Sequence, residues 1–337
     1  MLKLNYFVKK YYQYFWLLLL IFLFTGCQDT TDNNIPLAAD KVELIFVKDN
    51  QITGSDSSGQ GIVNLSLNNR INFAPLWIEK GSNILFISEL NGFYEVWQKN
   101  ILTAEKELLW GSKKKPQFIN VSPDSLWLTY SEEQACFLLN IKEKKASRIS
   151  DNCQSLSWAP KDKALVFATT DKLYRRSFNV KIELDATQEI YTSVVKSPIF
   201  LDNQNLAFVA ANPDTNPTTY DLYTLSLSDK NLSRLTSLYF PTADSVAMQL
   251  SPDKKNIMAN FNNHIWLVTL SEPKLAKEVL ANAEQAVWNS TSDGFYYSVS
   301  EVDENNEMVH NIYRASLNGL NKEKIISAAE NPVSLAN

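Results

Sequence analysis

The sequence predicts an all-β propeller of seven four-stranded blades, closed into a ring by its C-terminal strand. Three observations predict it. First, an aliphatic–aromatic pair followed four places later by an apolar residue recurs as Val96-Trp97…Ile101, Cys136-Phe137…Ile141, Leu173-Tyr174…Phe178, Leu222-Tyr223…Leu227, Ile265-Trp266…Leu270 and Ile312-Tyr313…Leu317, with a weaker first copy at Ile52-Thr53. Second, the positions 53, 97, 137, 174, 223, 266 and 313 step by about 43 residues, the length of a propeller blade. Third, the first unit lacks an innermost strand, whereas Asn331–Leu335 reads as such a strand with nothing after it. A β-sandwich with evenly spaced strands would not need to repeat one side-chain order. Six blades is the alternative count, if Ile52-Thr53 is only a lead-in strand.

Within each unit the strands are lettered A to D from the axis outward. Strand A carries an uncharged hub residue before a turn: Trp77, Val121, Trp158, Ile199, Leu250 and Trp288. The turns, such as Ser122-Pro-Asp124 and Ser251-Pro-Asp253, are mechanical, because Pro presets φ and Asp, Asn or Gly tolerates the tight return. Strand B is a short apolar run, as in Ile84–Ile87, Ala164–Phe167 and Leu206–Val209, suited to burial on both faces. Strand C is the recurring signature. Strand D closes each unit with apolar–polar pieces: Val63–Ser66, Leu108–Trp110, Ser147–Ser150, Glu189–Thr192, Ser233–Thr236, Glu278–Ala281 and Lys324–Ser327. Ring closure removes the open sheet edges that a linear array would expose.

The N-terminus is a targeting segment. Lys3, Lys9 and Lys10 precede an apolar stretch from Phe15 to Phe24, and Thr25-Gly26-Cys27 follows. Ten apolar residues span about 15 Å as a helix, half of a ~30 Å hydrocarbon core, which favours a signal peptide over a membrane span. Small residues before a cysteine resemble the bacterial lipoprotein cleavage site, although Phe24 stands where that motif prefers Leu. The resemblance implies a signal peptide over residues 1–26, a lipid on Cys27 and, with Gln28 rather than Asp next, sorting to the outer membrane. An uncleaved anchor helix begun near Tyr11 is the alternative. Residues 28–40 are polar and read as a tether reaching at most ~40 Å. Residues 41–337 form the propeller.

Net charge is −5 over the chain, and removing the three N-terminal lysines takes it to −8. An acidic body lacks the basic footprint that nucleic acid requires. The clusters Lys113-Lys114-Lys115 and Lys142–Lys145 read as solvated turns.

Trp158-Ala-Pro-Lys-Asp with Leu165-Val-Phe, Leu250-Ser-Pro-Asp, and Leu206-Ala-Phe-Val…Asp221-Leu-Tyr…Ser233-Arg-Leu-Thr resemble TolB-type propeller repeats. The likeness covers nearly all of residues 42–337, with degenerate copies; only Gly81 and Gly294 lie in or beside the turns that usually carry Gly. It specifies fold strongly and function weakly. Similar propellers gate serine peptidases, but those need an added α/β domain for which the blades leave no room in this sequence. Similar folds also occur in oligogalacturonate lyases, whose implied metal site uses several histidines.

Chemistry is sparse. No Ser-x-x-Lys, Gly-x-Ser-x-Gly, His-Glu-x-x-His or P-loop pattern is present. His264 and His310 both open strand C of consecutive blades, with Glu301 or Asp303 as the nearest carboxylates for a metal, but adjacent C strands diverge too far for shared ligation. No catalytic, cofactor or metal residues are therefore assigned. Cys136 and Cys153 form an even pair once Cys27 is lipidated, and a bridge would clip adjacent blades. Against it stands the radial offset between a third strand and a first. The B–C insertions Ala210–Tyr220 and Glu301–Val309 are the candidate contact loops.

These readings point to a lipid-anchored, periplasm-facing envelope propeller that binds protein partners and has no chemistry of its own. The alternative is a small-ligand or glycan binder, or a hydrolase or lyase, using the axial funnel. What lines the axis discriminates between them, and the uncharged hub residues of strand A are expected to line it.

Overall fold

The computed structural model describes residues 38–161, 164–178, 187–243 and 246–335. They fold into seven four-stranded antiparallel sheets. Six blades run A-B-C-D in chain order, beginning with strands A at Ile71–Ile78, Pro116–Val121, Ser155–Trp158, Val195–Phe200, Ala247–Leu250 and Gln285–Trp288. In blade 1 the innermost strand is the chain's last, Ala329–Ser334, and the weak copy at Ile52-Thr53 is strand C, Gln51–Ser55. Seven is therefore the blade count. No helix among the described residues is long and apolar enough to cross a membrane.

The repeated pair in strand C follows from strand alternation, since neighbouring residues point to opposite faces of a sheet. Val96 of blade 2 packs in the cluster shared with blade 3, whereas Trp97 packs against Ile45, Val47 and Ile52 of blade 1. The same split holds for Leu173 and Tyr174, Leu222 and Tyr223, and Ile265 and Trp266. The aliphatic partner thus packs towards the following blade and the aromatic towards the preceding one. Strand B is buried on both sides for the same reason. Ile84 and Phe86 join the blade 1 interface, and Leu85 and Ile87 the blade 3 interface.

Blade 1 is closed by antiparallel pairing of Leu44 with Ser334, Ile45 with Val333 and Val47 with Glu330. Trp77 Nε1 donates to the Val333 carbonyl at 3.2 Å, tying blade 2 to the closing strand. Leu44 and Phe46 pack against Tyr296, Ile312 and Ile326 of blade 7, which completes the ring. Gly81 turns at φ +90, and a Cβ there would lie 2.6 Å from Leu335 Cδ1. Here both backbone conformation and close approach require glycine.

Two outer strands are shorter than the sequence predicts, Val63–Asn64 in blade 1 and Leu232–Arg234 in blade 5. In each, a hydroxyl replaces a ladder carbonyl: Ile52 N–H donates to Ser66 Oγ at 2.9 Å, and Leu222 N–H to Thr236 Oγ1 at 3.1 Å. The strand-C donors stay satisfied while the regular ladder ends early. The A–B turns also depart from glycine, with Ser125 at φ 57, Lys254 at φ 61 and Ser292 at φ 63. A side chain in the left-handed region costs about 1 kcal/mol, partly offset by glycine's greater freedom when unfolded. Lys254→Gly is expected to raise stability by roughly 0.5 kcal/mol, read as a higher urea midpoint with unchanged slope.

Candidate functional site

The B–C hairpins and the D–A crossovers share one face of the disc, here the crossover face. The two insertions expected there are largely strand rather than loop. In blade 5 strands Asn205–Asn212 and Thr219–Ser226 stay paired out to Asn212 and Thr219. In blade 7 Gly294–Val302 and Met308–Ser316 pair out to Val302 and Met308. Both hairpins are thus stiff, and the blade 7 tip is set by Asp303 Oδ1, which accepts from the N–H groups of Asn305 and Glu307. That tip presents Val302 and Met308 at 59% and 66% exposure, and the blade 2 hairpin presents Leu90 and Phe93.

The hub residues do not line the axis. Trp77, Val121, Trp158, Ile199, Leu250 and Trp288 all pack in clusters between blades. Both faces of a regular strand A pack against a neighbouring blade, Trp77 towards blade 1 and Leu76 and Ile78 towards blade 3, so the opening is reached by residues at the bulges, such as Ala74 and Pro75 between Phe73 and Leu76. The opening holds a cavity of about 250 Å³ lined by Ala74, Pro75, Gln249, Asn260, Gln285, Asn331 and Val333, among others, with Glu284 as its carboxylate.

Glu284 is the centre of a small polar cluster joining strands A, B and C of blade 7. Its Oε2 lies 3.0 Å from His310 Nδ1, Ser300 Oγ donates to its Oε1, and Ser300 Oγ is 3.1 Å from the same His310 nitrogen. Serine and carboxylate therefore meet one ring nitrogen. A nucleophile–base–acid relay needs the two groups on opposite nitrogens, so this is a hydrogen-bonded clamp and not a triad. His264 forms a separate pair, Nδ1 to Glu278 Oε1 at 2.7 Å. Among the described residues no group of three or more His, Cys, Asp and Glu could hold a metal ion.

Glu301 accepts from Tyr313 Oη at 2.6 Å, Asn311 Nδ2 at 2.7 Å and Lys324 Nζ at 3.1 Å. The Tyr313 hydrogen bond, with help from Lys324 and Asn311, holds the Glu301 carboxyl below the usual carboxylate range despite the opposing effect of burial. A depressed carboxyl contributes stability above its unfolded value and loses it as pH falls through the folded value. Blade 7 is therefore expected to loosen on acidification, and Glu301→Gln to flatten that slope in thermal melts taken between neutral and acid pH.

Cys136 and Cys153 are disulfide-bonded, with Cα atoms 5.7 Å apart and both residues buried. The radial offset disappears because the crossover runs back over strand C before entering blade 4: Cys153 N–H donates to the Gln134 carbonyl at 2.7 Å. Closing a loop of this length contributes about 3 kcal/mol. The double Cys136→Ala/Cys153→Ala variant is expected to lose about that amount in urea titration, and reductant to lower only the parent's midpoint. Cys27, the segment 1–26 and the tether up to residue 37 lie outside the described residues.

A buried ion pair fixes the crossover from blade 5 to blade 6. Asp221, wholly buried, pairs with Arg234 Nη2 at 2.7 Å and accepts from Tyr239 N–H and Asn212 Nδ2. Phe240 then enters the interface cluster beside Phe261 and Trp266. In the sequence Asp221 is legible only as the start of a repeat. Its charge inside a strand-C run was the available signal.

No protein-family profile matches the chain, and no curated protein does. Solved structures do. A functionally unknown protein from Desulfotomaculum acetoxidans aligns with TM-score 0.62 at 10% identity, covering 88% of this chain and 99% of its own. Oligogalacturonate lyase from Vibrio parahaemolyticus aligns at 0.57 and 12%, covering 85% and 86%. TolB from Acinetobacter baumannii aligns at 0.55 and 11%, covering 85% and 79%. At such identities the likeness establishes a shared β-propeller fold, in company that includes both an enzyme and TolB.

Proposed function

We propose that this protein is an exported propeller, anchored through a lipid on Cys27 at the periplasmic side of the outer membrane, that binds envelope proteins through its crossover face. The observation that carries the reading is the pair of hairpins in blades 2 and 7, whose strands stay paired out to Leu90 and Phe93 and to Val302 and Met308 and hold these four side chains out in solvent. Apolar residues on rigid supports with a polar surround are the usual core of a protein interface. Asp303, Glu304 and Glu307 at the blade 7 tip favour a partner with basic residues around an apolar centre. The buried disulfide suits an oxidising compartment.

A photo-crosslinking residue at Met308 in intact cells is expected to capture a discrete envelope protein, and one at Lys230 on the opposite face is not. The second reading, a glycan or small-ligand site in the axial opening, is supported by the cavity beside Glu284 and His310. Capture failing at Met308 while purified protein turns over or binds oligosaccharides, with loss in Glu284→Gln, would replace the first reading by the second.

A further inference from the structure

The face opposite the crossovers carries the A–B and C–D turns, and four leucines protrude from it. Leu102, Leu275 and Leu320 lie in the C–D turns of blades 2, 6 and 7, and Leu126 in the A–B turn of blade 3. They are 58%, 61%, 62% and 52% exposed. Blade 1 sits between blades 7 and 2, so the leucines fall on two consecutive blades to either side of it. The described chain begins in that same place. Residues Ala39–Lys41 form a 3-10 turn, Glu43 N–H donates to the Ser55 carbonyl, and Leu335 N–H donates to the Glu43 carbonyl. Blade 5, across the ring, has Ser228-Asp229-Lys230 at its C–D turn, and its nearest exposed leucine, Leu232 at the start of strand D, is less exposed at 38%.

We infer that this leucine-bearing face lies against the bilayer, with the crossover face directed away from it. The inference rests on the lipid anchor at Cys27. From Cys27 to Ala38 the chain extends at most ~40 Å, so the tether keeps the disc near the membrane without choosing a side. The side is chosen by the leucines: half-exposed apolar tips flanking the attachment point enter the interfacial layer together, while Lys322 beside Leu320 extends its charged end to the headgroups and Lys274 beside Leu275 offsets Glu272 at 3.7 Å. The aspartates of the A–B turns do not oppose this strongly, because Asp124, Asp202, Asp253 and Asp293 are taken up by the hydroxyls, amides and N–H groups of their own turns, and Glu272 in the blade 6 C–D turn is paired with Lys274. The arrangement also leaves Val302 and Met308 on the side open to partners.

The test uses the full-length protein in vesicles of phosphatidylethanolamine and phosphatidylglycerol. Flotation reads anchoring, and a membrane-impermeant amine reagent followed by mass spectrometry reads which lysines are covered. Lys274 and Lys322 are expected to label several-fold more slowly than Lys113 and Lys114, and to recover when proteolysis within residues 28–37 releases the folded body. Leu275→Ser/Leu320→Ser is expected to bring the two sets together without loss of flotation. Equal labelling of both sets in floating parent protein, or protection of Lys113 and Lys114 instead, overturns the orientation and leaves the anchor standing. Failure to float overturns the anchor itself, and the orientation with it.

Discussion

A chain ending at Ser327 is expected to have no stable folded state, although it retains every residue of six blades. The missing strand, Ala329–Ser334, is the only inner partner of strand Leu44–Lys48. Without it, Leu44, Ile45, Phe46 and Val47, all at 5% exposure or less, lose one side of their cover, and Trp77 loses its carbonyl acceptor. Exposing three or four such side chains costs about 1.5–3 kcal/mol each. The sum rivals the roughly 5–15 kcal/mol that stabilises a typical domain. Circular dichroism should show loss of the cooperative melt, and a synthetic peptide of residues 328–337 should restore it by filling the vacated edge. A truncated chain that melts like the parent would mean that the ring does not depend on its closure.

Arg234→Met is expected to cost about 3–5 kcal/mol, far more than a partly exposed arginine on an outer strand would suggest. The cost lies with its partner. Asp221 is wholly buried, and loss of the guanidinium leaves its charge with only the Tyr239 N–H and the Asn212 amide. Arg234 also donates from Nε to the Thr236 carbonyl and lies over the Tyr239 ring, centroid distance 4.9 Å, so the crossover that inserts Phe240 loosens with it. Asp221→Asn/Arg234→Met should recover at least half of the loss in urea titration, because the buried charge is gone and the Tyr239 N–H keeps an acceptor. Equal losses in the single and double variants would show that packing of the arginine stem, rather than the uncompensated charge, sets the cost.

The fold is legible in the sequence and the site is not, for a physical reason. A blade is a local object: an aliphatic–aromatic pair, a turn with Asp, and a short apolar run recur within about 43 residues, and each reports a face of its own sheet. Even the ring closure follows, since an unit without an inner strand and a terminal strand without a unit must meet. The axis involves seven strands distant in sequence. Which face of strand A turns inward depends on the bulges in those strands, as between Phe73 and Leu76, Pro116 and Ile119, and Lys196 and Ile199. Hence the tryptophans expected at the axis lie between blades, and small residues and amides take their place.

By itself, then, the sequence determined the all-β class, the seven repeats, the strand order within each and the closure by a C-terminal strand, read at Asn331–Leu335 and found at Ala329–Ser334. Tertiary structure alone decided that Cys153 reaches Cys136, that Glu284, Ser300 and His310 converge on one nitrogen, and that Asp221 is sealed beneath Arg234. The reason is one of range. Repeat and alternation are properties of neighbours along the chain, whereas a contact between strands of different radius depends on where the crossover runs, and that path is set only when the blades pack.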